Sequence, residues 1–208
     1  QTPRALQSFF QLDLLRKDVE EKLSANPDDP WALARKCELF LQDGNRLAAM
    51  ETLRRSLATT PDDVGLRALM VKTSLELLRD DFQANRGLAD ELEKLIDHPS
   101  QREEYLELLA AGLQDNGQLL AAFDAYMLLI EALTETVDTG TETVEQLHLV
   151  DKDLRVRRDR WIQVMLTRLH SSASEEQKKQ IDSIIHDRYV KAVESGRALP
   201  LREYLAYF

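Results

Sequence analysis

Four histidines, at 98, 148, 170 and 186, and one cysteine, Cys37, are the side chains best suited to metal ligation or nucleophilic chemistry. A metal centre needs ligands that converge on one point. None of the histidines stands in an HExxH arrangement or shares a helical turn with a second histidine and a carboxylate. The sequence contains no GxSxG, GxxxxGK[ST] or GxGxxG, and its seven glycines are too scattered to cradle a phosphate. The acidic pairs at 80/81, 90/91 and 103/104 fit solvated helix faces or helix starts. Arginines at 155, 157, 158 and 160 form the one basic cluster, and Asp151, Asp153 and Asp159 intersperse it, so pairing within the protein is the expected use. No catalytic, metal-binding or cofactor-binding residue is expected, and the chain is not read as an enzyme.

The elements that carry these residues are helices. Gly and Pro number seven and six among 208 residues, and 43% hydrophobic content is enough to bury a core. No run approaches the ~18 apolar residues that cross a bilayer. The net charge of -10 is uneven: residues 1–100 carry about -4, residues 101–150 about -9 and residues 151–208 about +3. Most of this surface repels a phosphate backbone, which argues against nucleic acid as a partner. Gln1 in place of Met, and the helical pattern of the final LREYLAYF, read as the ends of a segment of a longer chain.

Asn26-Pro27-Asp28-Asp29 and Thr60-Pro61-Asp62-Asp63 lie 34 residues apart. Between them Leu33, Cys37 and Phe40 share one helical face. The Asp43-Gly44 turn allows a left-handed residue, and Ala49 and Leu53 face the first helix from a second. Asp29 or Asp28 serves as N-cap, with Pro30 in the first turn. A shift of 73 residues carries Leu33, Cys37, Phe40, Gly44, Ala49 and Leu53 onto Leu106, Ala110, Leu113, Gly117, Ala122 and Tyr126. A degenerate copy lies between, with Leu66, Met70, Thr73 and Leu77 in its first helix and Leu88, Leu92 and Ile96 in its second. It is about five residues longer, which predicts a distortion near LLRDDFQANR. Residues 4–25 read as a leading helix with Leu15, Val19 and Leu23 turned inward.

Residues 27 to about 133 resemble the tetratricopeptide repeat family, with Lys36 departing where a hydrophobic residue is usual. The resemblance implies an all-α fold, a right-handed α-α superhelix of antiparallel helix pairs. It divides the chain into repeats over 1–137, about three units plus the leading helix, and a helical extension over 138–208. The run LRVRRDRWIQ and the ending LREYLAYF are similar to helical segments that accompany pyrroloquinoline-quinone-type β-propeller repeats in large bacterial proteins.

The expected function is a non-catalytic scaffold for protein interaction, part of a larger bacterial protein. The alternative is a spacer arm of an exported propeller-containing enzyme or envelope protein. The second resemblance tilts localisation towards the periplasm or envelope, with the cytoplasm as the other possibility. Carried over by position, the groove of the first helices presents Trp31, Ala34, Glu38, Leu41 and Gln42, then Ala68, Lys72, Leu75 and Glu76, then Glu104, Glu107, Ala111, Gln114 and Asp115. The basic clamp of chaperone-binding members is missing, since Ala34, Glu38 and Ala68 stand in its place. An acid-leaning groove with Trp31 at one end suits a basic or amphipathic helical segment. No cofactor and no membrane insertion are expected, and uncapped repeat ends offer a route to a homodimer.

Overall fold

The protein is described by a computed structural model, which covers residues 3–137, 147–151 and 154–208. Among these, eleven helices and one two-stranded sheet are formed, so the fold is predominantly α-helical. The chain divides into two compact units, Gln1–Asp81 with Asn85–Leu95, and Phe82–Ala84 with Ile96–Phe208.

In the first unit α1 (Pro3–Ala25) is followed by α2 (Pro30–Gln42), α3 (Arg46–Thr59) and α4 (Val64–Asp80). The loops that separate them do the work foreseen for them. The Asp29 side chain accepts a hydrogen bond from the Ala32 amide at 2.8 Å and Asp63 accepts one from Leu66 at 2.9 Å, so each Pro-Asp-Asp segment ends in an N-cap. Gly44 takes φ +73° and closes α2 with a bond from the Asn45 amide back to the Phe40 carbonyl. Cys37, Ala49, Met50, Leu53, Leu66, Met70, Leu77 and Leu88 form one buried cluster, and Phe40 packs against it partly exposed. Small residues at Cys37 and Ala49, both fully buried, allow α2 and α3 to approach.

The distortion expected near LLRDDFQANR is present. α4 runs on to Asp80 and stops at Asp81, whose extended backbone (φ -155°, ψ 97°) breaks the helix, and the one-turn α5 (Phe82–Asn85) follows. The Asn85 side chain donates to the carbonyls of Leu77 and Asp81, which also accept the Asp81 and Asn85 amides, and so ties α5 back to the end of α4. α6 (Leu88–Glu93) is only six residues long. Leu88 and Leu92 are buried as expected, but Ile96 lies beyond the helix and is partly exposed.

In the second unit α7 (Pro99–Asp115) pairs with α8 (Leu119–Val137). Its turn repeats that of α2–α3 bond for bond at a shift of 73. The amide-to-carbonyl bonds Asp43 to Leu39, Gly44 to Leu41, Asn45 to Phe40 and Ala49 to Asn45 become Asn116 to Gly112, Gly117 to Gln114, Gln118 to Leu113 and Ala122 to Gln118. Leu106, Ala110, Leu113, Ala122 and Tyr126 are all buried. Gly112 is buried for a separate reason: a β-carbon there would sit 2.2 Å from the Phe82 ring.

The extension corrects one expectation. Before the anticipated helix α9 (Arg158–Ser172), the chain forms an antiparallel ribbon of β1 (Leu147–Asp151) and β2 (Leu154–Arg157), with His148 opposite Val156. Leu-Arg-Val-Arg alternates apolar and polar residues, the two-residue period of a strand, and Leu-His-Leu does the same up to Val150. α10 (Glu175–Glu194) starts at a capping box between Ser174 and Gln177. α11 (Ala198–Tyr207) follows Gly196, which takes φ +62°. Most of the TETVDTGTET stretch, where the repeat period is lost, lies outside the described residues.

Candidate functional site

The histidines do not converge. His98 caps α7, its Nδ1 accepting from the Ser100 amide; His170 meets Asp182 at 3.0 Å; His186 is exposed on α10. Among the described residues, no three His, Cys, Asp or Glu side chains gather in a way that holds a metal ion. Cys37 is fully buried, and burial, with a smaller contribution from Glu38, pushes its thiol up to about 11. A thiol so protonated at neutral pH packs instead of attacking.

The seven groove residues are divided between the units. In the first, Trp31 stands 42% exposed at the start of α2 with the Lys22 ammonium 5.3 Å from its ring centre. Glu38 is held by Arg35 one turn earlier, and Gln42 is exposed near the helix end. Lys72 and Glu76 of α4 line a shallow depression of about 250 Å³ together with Leu41, Gly44, Arg46, Leu69 and Thr73. Arg46 reaches Glu76 at 3.1 Å across that depression. Leu75, expected in the groove, is buried in the core.

In the second unit the two α7 candidates are engaged by their own surroundings. Gln114 accepts a hydrogen bond from the Tyr126 hydroxyl at 3.3 Å. Glu107 is half-buried, 3.7 Å from Arg158 and 3.5 Å from the Nδ1 of His148. Arg158 also donates to Glu103 at 2.7 Å, and both of those side chains are mostly buried. Arg157 pairs with Asp159, and burial of Asp159 is outweighed by that bond and by the Arg160 amide, which together lower its carboxyl. The arginine cluster is thus used largely within the protein. His148 stacks on Trp161, ring centres 4.1 Å apart, and Trp161 meets Tyr126 edge-on at 6.4 Å. Burial first and Arg158 second hold the imidazole below its usual pKa.

No protein-family model, curated protein or solved structure matches the chain.

A second, larger opening is lined by none of the seven residues. It is a cleft of about 830 Å³ over α2, with walls from α1 (Arg16, Val19, Glu20, Leu23) and α3 (Ala48, Glu51, Thr52, Arg55), and with Leu33, Lys36, Leu39 and Phe40 beneath. One sequence signal marks it. Lys36 occupies the slot where the repeat pattern asks for a hydrophobic residue, and the corresponding position 73 residues later is Leu109.

Proposed function

We propose that the chain is a helical-repeat scaffold of the tetratricopeptide kind, its antiparallel helix pairs stacking in a right-handed superhelix, that binds a protein or peptide segment and catalyses no reaction. The observation that carries this reading is the helix pair that recurs at a shift of 73 with the same turn bonds, the same left-handed glycine and the same small packing residues. A thin helix pair of this kind cannot cover its own apolar side and is built to stack, and a stack leaves an elongated face free for a partner.

Within the first unit that face carries Trp31, Glu38 and Gln42 on α2, and Lys72 and Glu76 on α4. An exposed indole backed by Lys22 offers a large apolar contact surface of the kind that dominates interface energetics. Glu38 and Glu76 add carboxylates that favour a basic or amphipathic helical segment.

A peptide array probed with the intact, folded chain tests the reading. The expected result is capture of a subset of amphipathic peptides, with about a thirtyfold loss of affinity in a Trp31→Ala/Glu76→Lys variant. Folded protein that captures no peptide, or a captured set indifferent to the variant, contradicts it.

A further inference from the structure

The cleft over α2 lies on the opposite side of that helix from Trp31, Glu38 and Gln42. At about 100° per residue along a helix, Trp31, Glu38 and Gln42 fall roughly half a turn from Leu33, Lys36 and Phe40. At about 830 Å³ the cleft lies within the ~300–1,000 Å³ range of ligand-holding clefts, and it lies wholly within one compact unit.

Its walls are braced but not joined. At one end Arg16 of α1 grips Asp43 beyond the last turn of α2 at 2.7 Å. At the other, Arg55 of α3 grips Asp28 before its first turn, also at 2.7 Å. Both arginines therefore tie a wall to α2. Elsewhere in the unit, by contrast, Arg54 of α3 reaches Glu91 of α6 directly at 2.9 Å. The middle of the cleft is left open, with the partly exposed Leu23 and Phe40 supplying its accessible apolar surface and Val19, Leu33 and Leu39 buried beneath them.

The charges in that middle section are arranged in a particular way. Glu20 stands one turn along α1 from Arg16, and Glu51 one turn along α3 from Arg55, so each wall carries a carboxylate between the braced ends. Both are exposed, and among the described residues neither carboxylate makes a hydrogen bond or ion pair, although Arg16 also feels the field of Glu20. The only cation of the floor, Lys36, holds its ammonium 5.6 Å from the centre of the Phe40 ring. This accounts for its departure from the repeat pattern: in an open cleft the slot is not sealed, and a long stem covers Phe40 while the charge stays wet.

We propose that this cleft is a second docking site, for an amphipathic helix whose apolar stripe is flanked on both sides by Lys or Arg. The stripe seats on the partly exposed Leu23 and Phe40, the flanking cations meet Glu20 and Glu51, and Lys36 disfavours a basic residue at the centre of the stripe. The site is separate from the Trp31 face and does not depend on it.

The test uses the full chain and a labelled 14-residue helical peptide with leucine at i, i+3, i+7 and i+10 and lysine on both flanks, read by fluorescence anisotropy. Glutamates in place of the lysines give the matched anionic peptide. The expected result is binding of the cationic peptide only, weakened about tenfold in Glu20→Gln/Glu51→Gln. It is lost in Ala48→Arg, which fills the cleft from α3. Trp31→Ala and the charge-matched control Glu93→Gln/Glu194→Gln leave it unchanged. Circular dichroism of each variant confirms that it is folded. Equal weakening by the control pair means general attraction to an acidic protein and overturns the proposal. So does equal binding of the anionic peptide, an unaffected Glu20→Gln/Glu51→Gln variant, or loss in Trp31→Ala alone, which assigns the peptide to the other face.

Discussion

Residue types that were readable one at a time behaved as their chemistry requires. Asp29, Asp63 and Ser174 cap helices because a short side-chain oxygen reaches an amide two or three residues on, a property of local sequence alone. Cys37 is buried because it shares a face with Leu33. Gly112 is different, since nothing in QREEYLELLAAGLQD marks it as the place where a ring from thirty residues earlier comes to rest. A Gly112→Ala substitution improves helix propensity yet drives a methyl group into Phe82. The net expectation is a loss of about 1–3 kcal/mol in chemical denaturation. A stabilised variant would mean that the Phe82 ring does not occupy that space.

At the scale of elements, helices with a full apolar stripe and caps at both ends were legible, and the short or non-local pieces were not. α6 ends at Glu93, before Ile96, although the apolar spacing continues, and the five surplus residues are taken up ahead of it by the break at Asp81 and the extra turn α5. The ribbon β1–β2 was missed because its alternation is brief and the helical pattern of α9 follows it without a gap. The seven groove residues were placed by analogy between repeats. The analogy holds for backbone slots but says nothing of what the extension brings to them, so His148 and Arg158 beside Glu107 could not be foreseen.

The ribbon gives a pH prediction. In the folded chain His148 titrates below its value in the unfolded chain, near 6.5, because burial and Arg158 oppose its charged form and outweigh the Glu107 carboxylate 3.5 Å from its Nδ1. The unfolded chain therefore takes up the proton at a higher pH. The stability tied to neutral His148 is present above about pH 6.5 and is lost as pH falls through the folded value. Denaturation midpoints measured at pH 7.5 and 5.0 should differ more in the wild type than in His148→Phe, which keeps the stack on Trp161 but cannot be protonated. An equal difference in both proteins would place the pH dependence elsewhere.

At the scale of the whole molecule, a repeated unit was detectable because it is written as a pattern of sizes at a constant shift, and two helix pairs were built from it. What remained hidden was where that pattern leaves open space. The cleft over α2 arises from how α1 and α3 are braced to the ends of α2, and only the misfit of Lys36 hinted at it. The central claim is that α2–α3 and α7–α8 are one structural plan used twice. Comparing the stabilities of Gly44→Ala, Gly117→Ala and Gly87→Ala tests it most directly. Gly44 and Gly117 take φ +73° and +72° with room around each, so alanine should cost both sites the same amount, about 1 kcal/mol, through backbone strain alone. Gly87, right-handed and equally open, should lose nothing. Clearly unequal costs at 44 and 117, or a loss at 87 as large as theirs, would contradict the account.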